Sequence, residues 1–103
     1  MEATRQQINI RGLKIDLEKY EVYIDDHLIS LTFKEYELLR FLANHPGKVY
    51  ARDTLLNSVW GHDYFGGDRT VDVYIRHLRS KIEDESHSYI ETVRNIGYRF
   101  ITS

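Results

Sequence analysis

Four cations fall within fourteen residues of this chain. Arg69, Arg76, Arg79 and Lys81 face a single acid, Asp72, a local net charge of +3 over residues 69–82. Residues 1–68 hold 8 Lys and Arg against 11 Asp and Glu, a net of −3, and the whole chain carries −2. A basic segment inside an acidic chain is a place to meet an anion. Guanidinium groups donate to phosphate oxygens and, as a fork, to O6 and N7 of guanine. His77 adds a donor, and Thr70, Val73 and Tyr74 are interleaved. Val73 and the Tyr74 ring suit a thymine methyl or the sugar backbone. A solvated helix face has the same composition, so charge by itself does not separate the two readings.

Other chemistries find less support. The five histidines (His27, His45, His62, His77 and His87) never stand three or four apart, and there is no Cys, so no metal site is expected. Asp25-Asp26 reads as a turn rather than a catalytic pair. Gly66-Gly67 lacks the strand and Lys of a phosphate loop. No convergent acid/base set emerges, so neither catalysis nor a cofactor is expected. No apolar run nears the ~20 residues of a membrane span and no signal peptide opens the chain, so a cytoplasmic location is expected.

At 103 residues, 42% hydrophobic and 29% charged, the chain has the size and composition of one globular domain. Its first third alternates with period two: Ile8 and Ile10, then Leu13, Ile15 and Leu17, then Tyr20, Val22 and Ile24, then Ile29 and Leu31. Strands are predicted near 7–10, 13–17, 20–25 and 28–31, too closely spaced for anything but an antiparallel meander. Of the breaks, Arg11-Gly12, Glu18-Lys19 and Asp25-Asp26, only the last is a good tight-turn dipeptide.

Periodicity then switches to helical. Thr32 and Glu35 form a capping box, with Leu31 and Tyr36 at the staple positions. The stripe Tyr36, Leu39 and Leu42, widened by Leu38 and Phe41, runs to Asn44-His45-Pro46-Gly47. A second helix is predicted over about 52–60, poorly capped by Ala51, from the pairs Leu55/Val59 and Leu56/Trp60. Trp60 continues that stripe and reads as core. Residues 61–68 are a Gly-rich loop in which Tyr64 and Phe65 read equally as local core or as a partner contact. A third helix over about 69–84 has the stripe Val71, Ile75, Leu78 and Ile82. Acidic Glu83-Asp84-Glu85 has the wrong sign for its end, so fraying is expected after Ile82. Residues 89–101 form a hairpin around Asn95 and Gly97, with a bulge or a twist expected because Ile90 and Val93 have opposite parity.

Three helices and a hairpin, the third helix basic, are the order of a winged helix-turn-helix. The expected fold class is α+β: an N-terminal four-stranded antiparallel sheet, three helices and a C-terminal β-hairpin wing. The carriers of a further resemblance are Leu31-Thr32 with Glu35 to Leu39, Val49, Arg52, Leu55-Leu56 and Val59-Trp60-Gly61. The longest run is Arg69 to Ile82, followed by Thr92-Val93-Arg94 and Gly97-Tyr98-Arg99-Phe100. Over about residues 8–101 the chain resembles the C-terminal effector domain of the OmpR/PhoB family of bacterial two-component response regulators.

The resemblance implies a third helix in the DNA major groove, a wing at the minor groove, and a loop 61–68 that engages RNA polymerase through Asp63, Tyr64, Phe65 and Gly66. It puts Arg69 and Tyr74 at phosphate contacts, Val73, Arg76, His77 and Arg79 on the groove-facing surface, and Thr92 and Arg94 on the wing. Thr70 and Lys81 complete the exposed set on the helix. His77 departs from the Arg common at that position. The partners implied are double-stranded promoter DNA with tandem half-sites, RNA polymerase, a receiver domain and a sensor histidine kinase, with weak self-association on DNA. Residues 1–7 read as a linker remnant and 8–103 as the domain, pointing to an excised effector. A winged-helix module for protein–protein contact stays open beside this reading, because the net charge is negative.

Overall fold

The structure is a computed structural model and describes residues 6–102. Strands β1 (Gln7–Ile10), β2 (Leu13–Asp16), β3 (Glu21–Ile24) and β4 (His27–Ile29) form an antiparallel sheet in sequence order. β1 begins one residue before the expected domain start, and residues 1–5 of the expected linker lie outside the described residues. Pairing aligns Ile8, Ile15, Val22 and Ile29 in one row across all four strands. That row is the core face, which is why period two was visible in the sequence. Tyr20 departs from it. The residue has φ +58°, lies in the turn before β3 and is mostly exposed, stacking on Phe33 and Tyr36. Arg11-Gly12 makes as tight a turn as Asp25-Asp26. Each pair has two positive φ angles, the geometry that matches strand twist in a two-residue hairpin.

Helix α1 (Phe33–Ala43) starts with the expected capping box: the Glu35 N–H donates to Thr32 Oγ1 at 3.2 Å, and the Thr32 N–H donates to Glu35 Oε1 at 2.9 Å. Tyr36, Leu38, Leu39 and Leu42 are buried. Helix α2 (Arg52–Leu55) has no side-chain cap at Ala51 and continues as a π-helical turn, Leu56–Trp60, stopped by Gly61 at φ +97°. Helix α3 (Arg69–Ile82) buries Val71, Ile75, Leu78 and Ile82 and ends at Ile82, as the acidic tail led one to expect. The acid nonetheless has a use. Glu83 turns away from the helix end, and its Oε2 accepts the N–H groups of Tyr89 and Ile90 at 2.7 and 2.8 Å. No helix among the described residues is long and apolar enough to cross a membrane.

The C-terminal hairpin pairs β6 (Ile90–Val93) with β7 (Gly97–Phe100), and β7 also pairs with β5 (Tyr50–Ala51). β5 was not foreseen, because two residues carry no period. The bulge is absent: Ile90, Glu91, Thr92 and Val93 face Phe100, Arg99, Tyr98 and Gly97 in unbroken register. Ile90 and Val93 differ in parity because only Ile90 belongs to the core face; Val93 is half-exposed near the tip. Asn95 takes positive φ, but Gly97 does not. Gly97 is needed for proximity instead, since a Cβ there would strike the Tyr50 carbonyl of β5.

His87 joins the N-terminal sheet to the segment after α3. Its Nδ1 lies 2.8 Å from Asp84 Oδ1 and its Nε2 2.8 Å from Asp25 Oδ2, so both nitrogens are placed to donate only in the charged ring. The Tyr89 ring flanks it. The bond to Asp84, then that to Asp25, raises the His87 pKa, while the same bond lowers that of Asp84. The stability from His87 is therefore complete below its unfolded pKa of about 6.5 and is lost as pH rises through the raised value. On the acid side the Asp84 contribution is lost as pH falls through its lowered value. The gap in Tm between wild type and His87→Gln is expected to be larger near pH ~6 than near ~8. A constant gap in a melting series across that range would contradict the clamp.

Candidate nucleic-acid interface

At ~100° per residue, α3 presents four faces. One is the buried stripe. Opposite it lie Arg69, Val73, Arg76, His77 and Ser80, all exposed. Between these two faces run two flanks that the period alone could not distinguish from the outer face. One flank, with Thr70, Tyr74 and Lys81, meets α1 and the loop before α3. The other, with Asp72 and Arg79, meets the wing.

On the first flank, Tyr74 is half-buried with its ring edge-on to Trp60, centroids 5.0 Å apart, and Thr70 Oγ1 lies 3.5 Å from the Tyr64 hydroxyl. Lys81 Nζ donates to Glu35 Oε1 at 2.7 Å. Glu35 is only 3% exposed. Burial pushes its carboxyl up, but the Lys81 bond, the Thr32 N–H and the neighbouring His77 together hold it below its ordinary value. The capping-box acid thus stays ionised and fastens α1 to the far half of α3. His77 Nδ1 sits 4.0 Å from Glu35 Oε2, which leaves the other edge of a ring 54% exposed to face outward.

On the second flank, Asp72 Oδ1 accepts from the Tyr98 hydroxyl at 2.6 Å and pairs with Arg52 Nε at 3.2 Å. Burial, then that hydrogen bond, pushes the Tyr98 hydroxyl up to about 12, so it remains a donor at any physiological pH. Arg79 Nη2 donates to Ile90 O at 2.8 Å and to Thr92 Oγ1 at 2.9 Å. Of the ten residues expected to meet DNA, Arg79, Lys81 and Thr92 are thus engaged within the protein, His77 stands beside Glu35, and Thr70 and Tyr74 are half-buried. Arg69, Arg76 and Arg94 have no ion-pair partner among the described residues. Arg94 lies at the exposed wing tip beside Asn95 and Ile96. These three arginines with Val73, His77 and Ser80 form a surface of donors and one methyl-bearing side chain, suited to phosphates and base edges.

Loop 61–68 splits the two aromatics that the sequence left open. Tyr64 packs 6.2 Å from Trp60, and its ring lies where a side chain on Gly66 would have to go. Phe65 is fully exposed. Asp63 is exposed as well.

Comparison with known proteins adds a family. A family model described as "Transcriptional regulatory protein, C terminal" matches residues 26–100. The alkaline phosphatase synthesis transcriptional regulatory protein PhoP of Bacillus subtilis (strain 168) is 47% identical over 95 residues, covering 90% of this chain and 40% of that protein. The phosphate regulon transcriptional regulatory protein PhoB of Klebsiella pneumoniae is 41% identical over 99 residues, covering 95% and 43%. The chain therefore spans about two fifths of the length of the curated relatives it matches. Among solved structures, the RstA DNA-binding domain of Klebsiella pneumoniae, in complex with the RstA box, superposes with a TM-score of 0.83 at 36% identity, covering 94% of this chain and 98% of that one.

Proposed function

Because the chain belongs to the OmpR/PhoB family of winged-helix transcriptional regulatory domains, we propose that it binds promoter DNA sequence-specifically, with α3 in the major groove and the wing at the minor groove. The observation that carries this reading is the face of α3 left over after folding. Core, α1, loop and wing use every other side of the helix, and what remains is Arg69, Val73, Arg76, His77 and Ser80. An exposed basic stripe of helical spacing, whose two arginines have no ion-pair partner among the described residues, is what a phosphate-lined groove complements. Arg94, at the wing tip, suits the concentrated negative potential of a narrow A·T-rich minor groove.

Titration of a duplex at several salt concentrations tests the reading. With Arg69 and Arg94 left to neutralise phosphate charge and ~0.9 counterions released per phosphate, the slope of log K against log salt is expected to be about −2 for one domain. Were Arg79 and Lys81 also on phosphates, it would approach about −4. No binding at low salt, or affinity independent of salt, would overturn the proposal and favour the protein–protein module.

The remaining partners follow the same reading. A receiver domain and a sensor histidine kinase belong to the two-component pathway, and pairing of two effectors on tandem half-sites adds avidity that one domain lacks. Loop 61–68 is proposed as the RNA polymerase contact, supported by Phe65, a large apolar side chain left uncovered among the described residues. Phe65→Ala is expected to impair transcription in a reconstituted assay while DNA affinity stays within about twofold, since surface changes rarely exceed ~0.5 kcal/mol. Loss of affinity and transcription together would remove the dedicated polymerase surface.

A further inference from the structure

The wing is a short hairpin, backed on β7 by the two-residue β5 but open along β6, and such hairpins are marginal unless something more holds them. α3 holds this one at two points, two helical turns apart. Asp72 grips β7 through the Tyr98 hydroxyl, and Arg79 grips β6 through Ile90 O and Thr92 Oγ1. The Arg79 guanidinium also lies 5.7 Å from the centre of the Tyr98 ring, and its Nε 3.8 Å from Glu83 Oε1. Thr92 is two residues before Arg94, and beyond it the tip residues Arg94, Asn95 and Ile96 are exposed. β5 ties β7 as far as Gly97, and Arg79 ties β6 at Thr92, so on the β6 side the direction of the tip is fixed where Arg79 takes hold.

Resting on the DNA-binding reading above, we propose that Arg79 is a positioning residue that sets the wing relative to α3, so that Arg94 reaches the minor groove when α3 is seated in the major groove. Arg79 does this in place of reading a base. The spread of the planar group explains the residue type: Nη2 serves the carbonyl and the hydroxyl while Nε lies toward Glu83 and the guanidinium carbon over the Tyr98 ring, a span that a single ammonium cannot reproduce. One consequence is specific. Flanking-sequence preference, a property of Arg94, depends on a residue on another element.

The test uses the free chain and two duplexes that differ only in an A·T-rich or G·C-rich flank. Wild type is expected to prefer the A·T flank by about tenfold, and Arg94→Ala to lose that preference. Arg79→Met is expected to lose most of it although Arg94 is still present, and the double variant to bind within about twofold of Arg79→Met, because coupled residues are not additive. Thr92→Val, which removes one acceptor and spares the arginine, is expected to lose part of the preference. In the absence of DNA, hydrogen exchange at the wing amides is expected to speed up in Arg79→Met. If the flank preference survives in Arg79→Met, or the two arginine effects multiply, Arg79 contacts DNA directly and the proposal fails. If wild type shows no DNA binding, it is the functional reading that fails, and unchanged wing exchange in Arg79→Met would then overturn the tether on its own.

Discussion

Gly97→Ala is expected to destabilise the domain by about 3 kcal/mol, the upper part of the range for overpacking. For a domain of this size that lowers Tm by on the order of 10–20 °C. The position has ordinary β backbone, so the cost is not conformational. It is proximity: Ala51 pairs with Gly97 in the three-stranded sheet, and the added methyl would run into the Tyr50 carbonyl and the Ala51 Cα. Backbone atoms cannot swing aside as a long side chain can. Either β5 leaves β7 or the tip end of the wing opens, and Tyr50, buried beside Phe41 at a centroid distance of 4.9 Å, is disturbed in both cases. Thermal unfolding followed by circular dichroism measures it. A melting point within about 2 °C of wild type would mean that β5 and β7 do not approach as described.

The largest effect on binding is expected from Arg76→Ala. Arg76 stands mid-helix on the outward face, next to His77 and three residues after Val73, with no partner among the described residues. A guanidinium there is free to make a bidentate contact with guanine. Its removal is then expected to cost about 1–3 kcal/mol on the preferred site and to relax one base position, leaving affinity for unrelated duplexes nearly unchanged. Loss shared equally by all sequences, with the salt slope flatter by about 1, would reassign Arg76 to a phosphate.

How much of this was legible in the sequence follows from the range of the interactions. The capping box of α1 and the stripe of α3 are written within single turns, so spacing revealed them. The four-strand row Ile8, Ile15, Val22 and Ile29 was readable because a meander repeats one period. The candidate site was only half legible. Period separates the core face of α3 from everything else but cannot separate an open face from a flank that meets another element. Arg79 and Lys81 therefore looked equivalent to Arg76. Their partners Ile90, Thr92 and Glu35 lie 11, 13 and 46 residues away, and only the fold brings them near. The His87–Asp25 contact spans 62 residues and was equally hidden. A faint signal existed for the wing flank: Asp72 and Arg79, seven apart, form a polar pair on one side of the helix.

The central claim, that the face of α3 left free by the fold is the DNA-reading surface, is tested most directly by residue-resolved NMR titration with a duplex selected from a random library. Amide shifts are expected to concentrate at Arg69, Val73, Arg76, His77 and Ser80, with a second group at Arg94 to Ile96 and little change along β1 to β4. Shifts centred on the N-terminal sheet, or a selection that enriches no sequence, would contradict it.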